Sequence, residues 1–191
     1  RIRQLYRVAT KGAVVLFFFL LSTSSAVAKP SVTPVNSDVA DAMGRVAVLY
    51  NGRICPLNTA ATEFVTKLCG KSTWEGLSAN EIFLSWMIFY TEWEAQPIIR
   101  VKSQEVQKLL GIEGEWASVN DFYTSQHEYK LKDRVGDSTL SDAQRKSLRE
   151  VDEKVQVVTM FYNGEMLHLF PLPSQGGLKW YTPGSTQLPR G

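Results

Sequence analysis

The sequence is poorest in the residues that make metal and thiol chemistry: it has two cysteines and two histidines in 191 residues. Two histidines exclude a His-rich metal centre, and the cysteines form no C-x-x-C pair, so a zinc ribbon and a thioredoxin-like redox motif are both ruled out. G-x-S-x-G, H-E-x-x-H, G-x-G-x-x-G and G-x-x-x-x-G-K are absent as well, which removes the common hydrolase, metalloprotease, dinucleotide and phosphate-loop signatures. Carboxylates do cluster, Glu92 with Glu94 and Glu150 with Asp152 and Glu153, but at spacings that suit solvated faces better than a catalytic pair. There is no internal repeat and no low-complexity tract.

Acidic residues are missing from the first 28 positions, which carry Arg1, Arg3, Arg7 and Lys11. Nine unbroken apolar residues come next, Ala13 to Leu21, and then a stretch ending in Ala26-Val27-Ala28. A basic flank, a short apolar core and an A-x-A ending match a secretory signal. The sixteen residues from Ala13 to Ala28 are short of the ~20 a membrane span usually needs, though a span is not excluded. In either case the positive flank keeps its own side cytoplasmic and sends the downstream residues outward. Residues 1–28 are therefore expected to be a signal-like or transmembrane segment, 29–37 ("KPSVTPVNS") a linker, and 38–191 one exported domain. The chain starts at Arg1 rather than Met and ends in a Pro/Gly-rich tail, so it is expected to be a piece of something longer.

Setting the basic end aside leaves 17 Lys and Arg against 19 Asp and Glu, a net charge of −2. No basic stripe remains, and nucleic acid is not an expected partner. Along the exported part, Leu57, Ala60, Ala61, Phe64, Val65 and Leu68 have helical spacing. Asn58 or Thr59 is positioned to cap that helix, and Gly70 suits the left-handed position after Cys69. Ser78 to Glu81 is a capping box opening a helix that should run to about Trp93 and stop before Pro97. Residues 98–101 read as a short strand, and Ser103 caps a brief helix ending at Leu110. Residues 111–140 read as loop with one short helix near 118–124, anchored by Trp116, Phe122, Tyr123 and Tyr129. From Ser141 two readings compete. Asn163-Gly164 could turn a hairpin, but Leu148, Val151, Val155, Val158 and Tyr162 are spaced as a helix face, and Ser141 with Gln144 makes a capping box. The helix over 142–162 is favoured, with a strand at 166–170 and regular structure broken by Pro171 and Pro173. The fold class is α+β, a predominantly helical small globular domain with a few short strands, preceded by the N-terminal segment.

The stretch Asn80 to Trp93 is the oddest. From Ile82 to Tyr90 eight of nine residues are apolar, and a helix apolar all round is either buried or docks on something. Burial in the core and a partner-docking face at Phe83, Trp86, Met87 and Tyr90 are both carried forward.

Gly52–Thr59 ("GRICPLNT"), Lys71–Glu81, Trp93–Val101, Leu109–Gly111 and Leu169–Pro183, in this order, resemble the extracytoplasmic segment of a cytochrome c biogenesis protein of the fused ResB–CcsA (System II) type. The resemblance spans most of 40–185. It implies that the whole protein carries haem outward and attaches it to apocytochrome c, and that the full-length protein can act as a haem lyase. The family's W-W-D signature and membrane-embedded histidines are absent here, so this chain is expected to hold no cofactor, catalytic residue or metal of its own, with neither His127 nor His168 matching a family ligand. The implied partners are the membrane, other parts of the biogenesis complex and apocytochrome c. The implied location is the bacterial inner membrane, with 38–191 facing the periplasm. Cys55 departs from the pattern, since family members often carry a basic residue there, so it reads as an incidental residue at a structural corner. The other reading is a freestanding exported binding module, cleaved after Ala28.

If 57–69 is helical, Cys55 and Cys69 are separated by roughly 20 Å of helix, too far for a disulfide, which needs Cα atoms within about 7 Å. Both thiols are therefore expected to react when the unreduced protein is denatured with a thiol reagent present. A mass showing no reacted thiol would contradict both the free cysteines and the helix between them.

Overall fold

The computed structural model describes residues 32–182. The signal-like segment 1–28, the cleavage point after Ala28 and the Pro183 end of the last motif lie outside the described residues.

The first described elements are α1 (Ser37–Gly44), capped by the Asn36 side chain, and a hairpin of β1 (Ala47–Tyr50) and β2 (Arg53–Pro56). The hairpin turns at Asn51 and Gly52, both with positive φ (49° and 74°), as a two-residue primed turn requires. This hairpin is not among the elements expected from the sequence. α2 comes next at Leu57–Cys69 as expected, and Gly70 closes it in the left-handed conformation. The expected side-chain cap is absent. Helix α2 starts directly from β2 at Pro56, and the Leu57 N–H is satisfied by the Val46 carbonyl at 2.8 Å, so neither Asn58 nor Thr59 is needed as a cap. Asn58 instead donates to Asn80 at 3.1 Å.

A two-residue pair, β3 (Thr73–Trp74) with β4 (Leu77–Ser78), delivers the chain to α3 (Ala79–Ile88). Its capping box is complete: the Glu81 N–H donates to Ser78 Oγ and the Ser78 N–H to the Glu81 carboxylate. The helix does not continue to Trp93. It breaks at Phe89 (φ −116°, ψ 48°) and restarts as α4 (Tyr90–Glu94). On one straight helix Trp86 and Trp93 would share a face about 10 Å apart along the axis. The break lets their rings stack at 5.4 Å with 15° between planes.

β5 (Ile99–Arg100) pairs with β6 (Trp116–Ala117), and α5 (Gln104–Leu110) lies between them with Ser103 as its cap. The stretch 111–140 carries more structure than expected: β6, a 3₁₀ turn at Asn120–Phe122, and α6 (Lys132–Val135). Phe122 is fully buried and Tyr123 and Tyr129 are half-buried against the core. Trp116 is exposed instead, because its anchor is the Arg100 guanidinium 6.0 Å from the ring centre rather than the core.

α7 (Asp142–Tyr162) is one uninterrupted helix with its capping box formed at Ser141 and Gln144, and it buries Leu148, Val151, Val155 and Val158. It also buries Lys154, whose ammonium donates to the Arg100 carbonyl at 2.6 Å. The strand expected at 166–170 is reduced to a bridge, Leu49 with His168. The strand proper begins at Phe170. β7 (Phe170–Ser174) and β8 (Gly177–Tyr181) form a ribbon through the region where the prolines were expected to break structure. Pro171 and Pro173 are two apart, so both missing N–H groups fall on the same edge, where an isolated ribbon has no ladder to lose.

Helices α1, α2, α3 and α7 enclose a core rich in aromatic rings. Phe64 of α2 meets Phe83 and Trp86 of α3 edge-on at 5.4 Å and 5.3 Å and stacks on Phe161 of α7 at 4.9 Å. Both cysteines are free thiols, Cys69 buried and Cys55 half-buried on β2. Trp86 is at the centre of the core with no exposed surface. Trp86→Ala is therefore expected to cost about 3–5 kcal/mol, a large share of an ordinary domain's stability. Urea unfolding checks it: an unchanged midpoint would contradict a core role.

Candidate functional site

The sequence singles out four side chains for docking, and the structure separates them. Phe83 and Trp86 are fully buried, while Met87 and Tyr90 are 39% and 54% exposed. The reason is geometric. Helix α3 is apolar all round, but only one side of it meets α2 and α7, so the residues of its last turn are left facing outward. Ile88, 59% exposed, belongs to the same outward group.

Met87 and Tyr90 form one wall of a cavity of about 480 Å³, with Glu94 beside them. The other wall is the last turn of α7, Phe161 and Tyr162, where Gly164 ends the helix with φ 69°. Trp86 forms the floor, and its indole N–H donates to the Tyr162 hydroxyl at 2.8 Å. The Tyr90 and Tyr162 rings meet edge-on, 6.4 Å apart. Burial raises the Tyr162 phenol above its ordinary value of 10.0; the hydrogen bond from Trp86 opposes the shift and nearby Glu94 adds to it. At neutral pH the cavity thus presents a neutral phenol, a thioether, aromatic rings and one carboxylate. This composition suits binding an apolar or amphipathic surface. It offers no nucleophile and base in hydrogen-bond contact.

Tyr162 was legible as part of a helix face but not as part of a site, because its partner Trp86 lies 76 residues away in sequence. The two histidines are not brought together. His168 lines a different cavity, of about 510 Å³, next to Met166, while exposed His127 lines a third beside Tyr123. Beside the half-buried His168, Met166 and Leu167 are both buried. Among the described residues, no group of three or more His, Cys, Asp or Glu side chains gathers to hold a metal ion. Also among the described residues, no helix is long and apolar enough to cross a membrane.

No family model matches the chain. It is similar to the protein NrfI of Wolinella succinogenes, with 38% identity over 135 residues. The match covers 68% of this chain but 15% of that protein.

Tyr162→Phe removes the acceptor of the buried Trp86 N–H and is expected to cost about 1–3 kcal/mol at pH 7. The tyrosine's raised pKa has a sign that can be checked. Its contribution is fully present below the unfolded value near 10 and is lost as pH rises beyond it. Urea midpoints should therefore fall above pH 10 in the native chain and fall less in Tyr162→Phe. Parallel pH profiles would contradict this.

Proposed function

We propose that residues 38–191 are the extracytoplasmic accessory domain of a membrane cytochrome c biogenesis protein of the fused ResB–CcsA type. In this proposal the domain faces the periplasm of a bacterial inner membrane, and residues 1–28 are the membrane segment that precedes it. The domain scaffolds or docks, while haem export and attachment, the haem-lyase activity, belong to the rest of the protein. It holds no cofactor of its own.

The observation that carries the proposal is the ordered motif series from Gly52 to Pro183, supported by the 38% identity to NrfI over 135 residues. The composition of the site agrees with it: the exposed end of α3 and the cavity beside it hold apolar and aromatic groups suited to contact. Docking falls to Met87, Ile88 and Tyr90, with Phe83 and Trp86 supporting them from beneath.

The test is the double variant Met87→Asp/Tyr90→Asp in the protein as its host makes it. Both side chains are exposed, so the fold and the protein level should survive. Charges placed in a docking face weaken it by the order of tenfold or more, and haem-stained c-type cytochromes should fall accordingly. Cytochrome levels equal to wild type at equal protein level would contradict the proposal.

A further inference from the structure

Residues 32–35 are fastened to α3 and α4 beside the proposed docking surface. The Val35 N–H donates to Ser85 Oγ on α3 at 2.8 Å, and the Thr33 N–H donates to the Glu92 carboxylate on α4 at 3.1 Å. Val32 and Val35 pack against the core. Ser85 and Glu92 are seven residues apart, and Ile88 falls between these two fastenings. The entering segment is thus fixed along one side of α3 and α4, beside the exposed Ile88 and within the same stretch of chain as the exposed Met87 and Tyr90.

Ala28, the last residue of the apolar segment, is four positions before Val32. Four residues span at most about 14 Å even when fully extended. If the apolar segment is in a bilayer, Val32 is tethered within that distance of the lipid surface, and Thr33 next to it is bonded to Glu92 of α4, two residues from the exposed Tyr90 and near the exposed Met87 and Ile88 at the end of α3. Tyrosine with one apolar and one wet end is the side chain favoured at a membrane interface.

We propose that the face formed by Met87, Ile88 and Tyr90 rests on the lipid bilayer that holds residues 1–28. This rests on the preceding reading that those residues are a membrane segment. The face carries carboxylates rather than cations: Glu92, engaged by Thr33, and Glu94 in the cavity wall. The contact is therefore with the interfacial region of a zwitterionic lipid and is not an attraction to anionic headgroups. Held this way, the domain has one orientation over the membrane, with α3 and α4 down.

The test uses the full chain in phosphatidylcholine vesicles, with Cys55→Ser to leave only the buried Cys69, and a bimane label on Ile88→Cys. Met87→Cys is the second labelled variant, and Ile54→Cys on β2, where the native residue is 61% exposed, is the distant control. Flotation with the vesicles reads anchoring separately. The expected result is that labels at 87 and 88 shift to the blue and are quenched by doxyl-bearing lipid, while the label at 54 is quenched only by aqueous iodide. Labels at 87 and 88 that stay open to iodide in chains that float would overturn the bilayer contact and leave the anchor standing. Labels shielded from both quenchers would mean that protein, a second copy or another segment, covers the face, and would also overturn it. Failure to float would remove the membrane segment and this inference together.

Discussion

Trp86 has no exposed surface, and three separate parts of the chain are arranged around it. Its ring stacks on Trp93, its edge meets Phe64, and its N–H is taken up by Tyr162 at the far end of α7. A buried indole N–H without an acceptor is costly, and so the last turn of α7 must come to α3. The stack with Trp93 cannot form along a straight helix, so the chain breaks at Phe89. Together these contacts close the core at one end of α3 and leave Met87, Ile88 and Tyr90 facing outward. The candidate site is thus a by-product of how the core is satisfied. The indole N–H of Trp93, also fully buried, has no acceptor among the described residues.

Elements with strong local signals were legible in the sequence. Both capping boxes, at Ser78 and Ser141, formed as written, and Gly70 and Gly111 closed the helices before them in the left-handed region. One signal occurs twice, and it was missed at its first occurrence and correctly read as a helix end at its second. Asn51-Gly52 turns a hairpin, whereas Asn163-Gly164 ends a helix with Asn163 at φ −73°. The dipeptide permits both, and the periodicity of the preceding residues decides. Pro171 and Pro173 did mislead, since a two-stranded ribbon tolerates on its free edge what a wider sheet would not.

The site was half legible. The excess of apolar residues in 82–90 marked a segment that fills the core with Phe83 and Trp86 and leaves Met87 and Tyr90 exposed. Which of the four marked residues turn inward depends on α2 and α7, whose approach is a tertiary fact no local pattern contains. Ile88 and Tyr162 were missed for the same reason. Trp116 went wrong because a large aromatic in a loop was expected to seek the core, and an arginine satisfied it at the surface instead. Lys154 shows the converse: a charge can be buried on a helix face when a backbone carbonyl, here that of Arg100, waits for it.

The aromatic core fixes which side of α3 stays open, residues 33 and 35 are fastened to Glu92 and Ser85 beside it, and the proposed membrane segment would hold that side close to lipid. The most direct measurement places a photoreactive amino acid at Tyr90, and separately at Ile54, in cells that are maturing c-type cytochromes. The account predicts lipid adducts from position 90 and none from position 54. Equal lipid labelling from both positions, or only protein adducts from position 90, would contradict it.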